Sequence, residues 1–250
     1  MPRLGIGSSV SKSSIVTPGI VTDNLVLKHM YGAGEVVPVS DGAASFDGDD
    51  YINTGFIPDY IHTNATAAFW VKMNNFSNSQ VMGQHNEKRW YHGFDDANLF
   101  IGVQDSHNGS SPITPSPALV VGQWFHYCVT AIDGTATVYI NGIAQGTMSY
   151  TQASGSNPDK GYIMGAQWNA SNGGPTNWID GYICNVGQWS TGLTQAQIKS
   201  IMWKNYSGLS ASEKTNLVSW WNLDTETNTS GESGTGGVKD SHGTNHGTLT

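Results

Sequence analysis

Three aspartates stand close together at Asp47, Asp49 and Asp50. Carboxylates gathered in one loop supply the oxygen ligands that Ca²⁺ prefers. The same stretch separates two short apolar runs, and turns between strands favour Asp and Gly for conformational reasons alone. We therefore interpret this acidic cluster as turn chemistry, with a functional use as the alternative.

Carboxylate pairs suited to glycoside hydrolysis are scarce in this sequence. Glycosidases flank the scissile bond with two carboxylates, and on a strand such residues recur at every second position. The nearest pattern is Asp224-Thr-Glu226-Thr-Asn228, in which an amide replaces the third carboxylate. The sequence also has no Gly-x-Ser-x-Gly or phosphate-binding glycine motif. We predict that the protein is not an enzyme, with a glycoside hydrolase using an atypical carboxylate pair as the less favoured alternative.

Aromatic residues beside amides form a second group with chemical potential. A sugar stacks its apolar face on an aromatic ring while its hydroxyls need paired donors and acceptors. Such combinations fall in predicted loops at strand ends. The predicted glycan-binding candidates are Trp90, Tyr91, Trp168, Asn169 and Trp178. Other tryptophans fall in strand patterns and are predicted to be core, namely Trp70, Trp124, Trp189 and Trp220.

Histidine and cysteine offer little for metal binding. His242 and His246 stand four apart beside Asp240, a spacing that binds metal on a helix, but the glycines between them disfavour a helix. Cys128 and Cys184 are too few for a disulfide scaffold or a zinc site. We predict two buried, reduced thiols.

Charge excludes two classes of partner. Charged residues are only 12% of the 250-residue chain, and the formal net charge is −8. Nucleic-acid binding requires a basic face, which 11 Lys and Arg spread singly do not provide. No apolar run is long enough to cross a bilayer. The first residues also lack the continuous apolar stretch of a secretory signal.

Short apolar runs separated by Gly, Asn, Asp and Ser predict the elements that must position these residues. This pattern is typical of an antiparallel β-sandwich. Asp133-Gly134 and Asn141-Gly142 are signals for tight hairpin turns. The predicted strands are Ala43–Phe46, Tyr51–Thr54, Ala67–Met73, Leu99–Val103, Trp124–Ile132, Ala136–Ile140, Tyr162–Gly165, Trp178–Trp189 and Leu217–Leu223.

One or two short helices are predicted near the C-terminus. Thr194-Gln-Ala-Gln197 and Ser210-Ala-Ser-Glu213 both have the form of a capping box. We divide the chain into an extended arm at 1–22, one sandwich domain at 23–223 and a Gly/Ser/Thr/Asn-rich tail at 224–250.

The order of several segments resembles the concanavalin A-like jelly rolls of the laminin G-like and pentraxin-like group. The segments that carry the resemblance are Ala43–Ile52, Ala67–Val71, Gly122–Gly142, Trp178–Val186 and Leu193–Ile198. Leu217–Asp224 and Val238–Thr248 resemble the opening strand and turn of such a domain. Their position near the C-terminus leaves two alternatives: the strand closes this domain's own sheet, or a further repeat was lost.

The resemblance also implies a calcium site. Aligned by the surrounding residues, the ligand positions of the pentraxin-like group fall on two sets of residues. These are Asp95, Asp96 and Asn98 in one set, and Gln167 and Asn169 in the other. Amides stand where the family has carboxylates in the second set, so the resemblance implies at most one weakly bound calcium. The cysteine partner that pentraxins place in the Ala67–Val71 strand is missing.

Together these observations predict a non-catalytic jelly-roll protein displayed on a virion surface, as a decoration or fibre-like component. The extended arm and neutral polar tails also resemble those of bacteriophage structural proteins. The expected partners are other virion subunits in a homo-oligomer, with glycans as a further ligand, and synthesis in the host cytoplasm. The alternative is a calcium-dependent lectin located outside the cell.

Overall fold

The apolar runs of the sequence form two antiparallel sheets that share one core. The computed structural model describes residues 36–54, 64–84, 89–104, 106–107, 112–151, 162–169, 173–224 and 237–250. Residues Val36–Thr250 form one compact unit. The predicted arm at 1–22 lies outside the described residues. The predicted all-β sandwich of the concanavalin A-like type is confirmed.

The strands are short, as the spacing of turn residues predicts. In chain order they are β1 Ala44–Asp47, β2 Ile52–Asn53, β3 Ala65–Met73, β4 Ser79–Gln84, β5 Arg89–Asp95, β6 Asn98–Gln104, β7 Ser106–His107, β8 Trp124–Ile132, β9 Thr135–Ile140, β10 Ile143–Ser149, β11 Ile163–Met164, β12 Gln167–Asn169, β13 Gly174–Thr176, β14 Asp180–Trp189, β15 Leu217–Trp221, β16 Gly237–Val238 and β17 Gly247–Leu249.

Two sheets divide these strands. Sheet A has the order β1-β14-β3-β8-β9-β10, and β15 also pairs with β14. Sheet B has the order β16-β17-β2-β11-β4-β5-β6-β7, and β12 joins it beside β4 and β13. Side chains alternate along each strand, so each sheet has an inner face toward the shared core and an outer face. On β3, for example, Phe69 and Val71 point into the shared core and Trp70 points to the outer face.

Both predicted hairpin turns are present. Asp133 and Gly134 have φ of 46° and 82°, and Asn141 and Gly142 have φ of 50° and 72°. Two consecutive positive φ angles match the twist of the flanking strands, which explains the Asp-Gly and Asn-Gly pairs. The first turn joins β8 to β9, and the second joins β9 to β10. The sequence analysis missed β10 because this edge strand is largely exposed and has no apolar run.

Helix α1, Gln195–Ile201, begins at the predicted capping box. The Thr194 side chain accepts from the Gln197 backbone N–H, and the Gln197 side chain accepts from the Thr194 N–H. The helix buries Ile198 and Ile201 against the outer face of sheet A. Along with this helix there is a short 3-10 helix, Tyr206–Gly208.

The second predicted helix is absent from the described residues, although its capping contacts form. Residues 211–216 make successive turns, and the Glu213 carboxylate accepts from the Ser210 backbone N–H at 2.8 Å. Glu213 also accepts from Lys204 Nζ and from Ser200 Oγ, each at 2.6 Å. Burial alone would raise the pKa of Glu213, but these hydrogen bonds outweigh burial and lower it to about 2. Glu213 therefore ties this turn to helix α1.

The structure corrects two predictions about where the strands lie. The stretch predicted as a loop around Trp90 is β5, an internal strand of sheet B between β4 and β6. The predicted tail at 224–250 includes β16 and β17, and β17 pairs with β2. Because β15 also pairs with β14, the C-terminal strands complete this domain's own sheets.

Both cysteines are free and buried, as predicted. Cys128 on β8 pairs with Ala68 of β3, and Cys184 on β14 pairs with Trp70 of β3. Because β3 runs between them, the two thiols lie too far apart for a disulfide bond. Burial raises the pKa of both thiols, that of Cys184 to about 12. Within the described part of the chain, none of the helices has the length and apolar character required to cross a membrane.

Candidate functional site

The turn between β1 and β2 brings the three aspartates together. The carboxylates of Asp47, Asp49 and Asp50 are exposed and lie within 4.8 Å of one another. Gly48 has φ of 108°, a conformation that a side chain would strain. A hydrogen bond to Asp47 and the neighbouring negative charges raise the pKa of Asp49. Partial burial and then the Asp47 hydrogen bond raise the pKa of Asp50. The turn thus concentrates negative charge and hydrogen-bond acceptors at one surface.

Two aromatic rings lie next to this acidic turn. Tyr51 follows Asp50 directly, and its ring centroid is 5.8 Å from that of Trp178, with 58° between the planes. Both rings are partly exposed. Gly165 connects the two segments: it accepts from the Ile179 N–H at 2.9 Å, and a Cβ added to it would lie 2.9 Å from the Asp50 carbonyl oxygen. We call this surface, formed by residues 47–51 and Trp178, the loop edge.

The ribbon of β12 and β13 leads into the loop edge. Trp168 pairs with Pro175 across this ribbon, and both Trp168 and Asn169 are partly exposed. Gln167 is 2% exposed, and its side-chain oxygen accepts from Asn177 Nδ2 at 3.2 Å. Trp168, Asn169 and Trp178 therefore remain available for contact with a ligand, and Gln167 does not.

Two of the predicted glycan-binding residues are instead core residues. Trp90 is 0% exposed, and its Nε1 donates to Gln188 Oε1 at 3.2 Å. Tyr91 is also 0% exposed and stacks on Phe100 with 5.5 Å between ring centroids. Rings without an exposed face cannot stack on a sugar. Their place on the internal strand β5, between β4 and β6, explains this burial.

The first predicted calcium set occupies a tight turn between β5 and β6. Asp96 and Ala97 have φ of 46° and 64°, and Asp95 pairs with Asn98. The Asn98 side chain is already engaged, since its Nδ2 donates to the Asp95 carbonyl at 3.2 Å and its Oδ1 accepts from Thr114 at 2.8 Å. Both aspartates are exposed. These contacts are those of a hairpin turn.

The second predicted calcium set, Gln167 and Asn169, lies elsewhere. Phe94, next to the first set, pairs with Ser79 at one end of β4, whereas Trp168 pairs with Gln84 at the other end. Five residues of extended strand separate these ends by about 16 Å, too far for one ion. The residues that the resemblance implied therefore do not fit a shared calcium site.

Asp240 organises the C-terminal loop, a role that the sequence analysis missed. Its buried carboxylate accepts from the backbone N–H groups of Trp220, His242 and Gly243 at 2.9–3.0 Å and of Asn245 at 3.1 Å. His246 Nδ1 accepts from the Asp240 N–H at 3.1 Å. These contacts hold β16 and β17 beside β15, and they disfavour a His–Asp metal site. The Asp-Ser-His-Gly sequence is the available signal, because Asp commonly accepts from backbone N–H groups two residues on.

The last predicted chemical group is the Asp224–Glu226 pair. Asp224 is partly buried, and Glu226 lies outside the described residues. One metal ion can be held by a group of three or more Asp, Glu, His or Cys side chains. Among the described residues, the group that lies close enough together is the acidic turn.

A family model described as the concanavalin A-like lectin/glucanases superfamily matches residues 46–199. A search of curated protein sequences found no match. Among solved structures, the chain is similar to a Bacteroides ovatus protein assigned provisionally to carbohydrate binding. The identity is 19%, the TM-score is 0.64, and the match covers 85% of this chain and 59% of that protein. It is also similar to a heptameric pentraxin from Limulus polyphemus, with 20% identity, a TM-score of 0.52 and coverage of 63% and 80% respectively. At these identities the similarity establishes the fold.

Proposed function

This chain belongs to the concanavalin A-like lectin/glucanase superfamily, and from that premise we propose that it is a non-catalytic carbohydrate-binding domain. The observation that carries the proposal is the loop edge, where the Tyr51 and Trp178 rings lie 5.8 Å apart beside the acidic turn. The carbohydrate-binding assignment of the Bacteroides ovatus protein supports the same function at the level of the fold.

The loop edge has the two kinds of contact that a sugar requires. The partly exposed faces of Tyr51 and Trp178 stack on the apolar face of a pyranose. The carboxylates of Asp49 and Asp50 accept hydrogen bonds from its hydroxyls, and bonds to ionised acceptors are stronger than those between neutral groups. Trp168 and Asn169 extend the contact surface along the neighbouring ribbon.

The exposure of this surface favours binding of a sugar without catalysis. The three carboxylates are exposed, whereas a glycosidase acid–base pair acts in a cleft that excludes water and tunes each pKa separately. We expect the purified protein to release no reducing sugar from soluble polysaccharides. Release that Asp49→Asn or Asp50→Asn abolishes would instead establish a glycoside hydrolase.

A glycan array tests the binding proposal directly. We expect the full chain to bind a defined subset of immobilised glycans, and Trp178→Ala to lower that signal at least about tenfold because the stacking ring is lost. Trp203→Ala is the matched control, since Trp203 is 45% exposed and lies beyond helix α1. Equal signals from the two variants would refute a role for the loop edge.

A calcium-dependent lectin is the second candidate, and the acidic turn favours it. Three carboxylates within 4.8 Å offer oxygen ligands of the kind that Ca²⁺ takes. Under this alternative, calcium raises the melting temperature and a chelator reverses the rise, and Asp49→Asn abolishes both effects. An unchanged melting temperature would remove calcium from the function.

For its biological setting, we propose display on a virion surface as part of a homo-oligomer, with an extracellular location as the alternative. The support is indirect: charged residues are only 12% of the chain, and neutral polar residues take their place. The Limulus pentraxin of similar fold is heptameric. Mass spectrometry of purified virions and of secreted fractions distinguishes the two locations, and light scattering measures the oligomer.

A further inference from the structure

A groove of about 380 Å³ crosses the outer face of sheet A, away from the core that the two sheets share. Its floor is formed by Lys72, Trp124 and Tyr182, and its wall is the chain segment 37–43 that precedes β1. None of its lining residues belongs to the loop edge. We call it the outer groove.

The floor places one cation between two aromatic rings. Lys72 on β3 pairs with Trp124 of β8 on one side and with Tyr182 of β14 on the other. Its Nζ lies 5.5 Å from the centroid of the Tyr182 ring, and the two rings are 6.5 Å apart. All three side chains are partly exposed. Trp124, which the sequence predicted for the core, thus forms part of an accessible surface.

The wall of the groove is anchored to the sandwich. Asn185 Nδ2 donates to the Val39 carbonyl at 2.9 Å, and Ser40 Oγ donates to the Gly42 carbonyl at 2.7 Å. Gly42 packs so closely that a Cβ would lie 2.5 Å from the Asp224 carbonyl oxygen. The wall therefore holds its position over the floor, and Asp41 stands exposed in it.

We propose that the outer groove binds a saccharide that carries a carboxylate. The rings of Trp124 and Tyr182 contact the apolar face of the sugar, and the Lys72 ammonium pairs with the sugar carboxylate. Asp41 accepts hydrogen bonds from the sugar hydroxyls. The volume lies at the lower end of the range for small-molecule sites, about 300–1,000 Å³, which suits one or two sugar units.

The charge of Lys72 distinguishes an acidic sugar from a neutral one. Within the described residues Lys72 forms no ion pair; the ion pair found there is Lys204–Glu213. Lys72 is partly exposed, so its ammonium can pair with a ligand carboxylate, and such a charge-assisted bond is stronger than one to a neutral hydroxyl. The rings on both sides add selectivity, because a small inorganic anion cannot stack on them.

Calorimetric titration of the full chain tests this site. The ligands are glucuronic acid and N-acetylneuraminic acid, compared with glucose, galactose and inorganic phosphate. We expect the acidic sugars to bind at least about tenfold more tightly than the neutral sugars and phosphate, because the ion pair is charge-assisted. Lys72→Met, and separately Lys72→Gln, removes the preference, and Trp124→Ala weakens binding of all the sugars.

Two control variants make the outcome specific. Lys214→Met removes another lysine that lies over an aromatic ring, 4.1 Å from the centroid of Tyr206, and must leave binding unchanged. Trp178→Ala alters the loop edge and must also leave acidic-sugar binding at the outer groove unchanged. Failure of the loop-edge proposal can therefore be distinguished from failure of the outer-groove proposal. The proposal is overturned by equal affinity for acidic and neutral sugars, by phosphate binding as tightly as the acidic sugars, by absence of binding, or by an acid preference that survives both Lys72 substitutions.

Discussion

A histidine buried in the shared core makes the stability of this domain depend on pH. His92 is 0% exposed, and its ring contacts Trp90 at 4.7 Å and Tyr127 at 5.9 Å between ring centroids. Neither ring nitrogen has a hydrogen-bond partner among the described residues. Burial therefore lowers the pKa of His92 from 6.5 to about 3. His126, buried on the outer face of sheet A, has its pKa lowered to about 3 for the same reason.

The sign and size of the effect follow from these values. A base whose pKa is lower in the folded state binds its proton more readily when unfolded, so stability falls as pH falls from about 6.5 toward 3. A pH of 4.5 is two units below the unfolded-state pKa of 6.5, so the His92 imidazole is protonated in the unfolded chain. In the folded chain it is still neutral, because its pKa is about 3. At about 1.36 kcal/mol per unit, His92 removes about 3 kcal/mol of stability between pH 7.5 and 4.5. His126 removes a similar amount.

Urea unfolding followed by tryptophan fluorescence at pH 7.5 and 4.5 measures this loss. The His92→Phe variant keeps an aromatic ring, removes the titrating group and leaves no former partner unpaired. We expect its loss between the two pH values to be smaller than that of the unmodified chain by about 3 kcal/mol. His92→Leu gives the same difference if phenylalanine packs poorly. Equal losses in all three proteins would refute the reasoning, as would a native-state titration of the His92 ring near pH 6.5.

Three further predictions concern Asp240, Glu213 and the two cysteines. Asp240→Ala leaves backbone N–H groups without acceptors, so we expect urea unfolding to show a loss of about 3 kcal/mol in the free energy of unfolding. As the control, Asp95→Asn at an exposed turn changes stability by less than about 0.5 kcal/mol. An equally small effect of Asp240→Ala would contradict the role of Asp240. Glu213→Gln lowers the melting temperature at pH 7. Because folding lowers the pKa of Glu213 from 4.5 to about 2, the difference in melting temperature between variant and unmodified chain shrinks as pH drops from 4.5 toward 2. A difference that stays constant with pH would exclude the Glu213 charge as its cause. Iodoacetamide modifies Cys128 and Cys184 only in denaturant, as mass spectrometry reports, and labelling of the native protein would show that the thiols are accessible.

Local chemistry explains the features that the sequence predicted correctly. The Asp133-Gly134 and Asn141-Gly142 turns need two positive φ angles, and few residue pairs adopt them without strain. The capping box at Thr194 likewise involves only residues three apart. Such features depend on neighbours in the chain, so one sequence is enough to find them.

The errors arose where burial is decided by distant residues. In β5, His92 and Gly93 interrupt the apolar run, and Trp90 and Tyr91 were predicted to lie in a loop. The structure places this strand between β4 and β6 with its inner face packed against sheet A. Polar and small residues are tolerated there because neighbouring strands cover them, which no local pattern reveals.

The loop edge was predictable only in part. Trp178 and the acidic turn each stood out in the sequence, but their proximity depends on the antiparallel register of β1 and β14, in which Asp47 pairs with Asp180. Register is set by the buried faces of both strands. Tyr51 was missed because it begins a predicted strand, where an aromatic residue is ordinary. The outer groove was missed for a related reason, since Trp124 lies in a strand that reads as core.

The pairing of β2 with β17 has a consequence for how the chain folds. These strands are separated by almost the whole described chain, and the Tyr51 N–H donates to the Thr250 carbonyl at 3.1 Å. Contacts of such high sequence separation require closure of a long loop before they become favourable, and they slow folding. A ribosome-bound chain therefore holds β2 without this sheet partner until β17 emerges. Sheet B is consequently incomplete at β2 until β17 has been made, and the loop edge beside β2 takes its final shape only then.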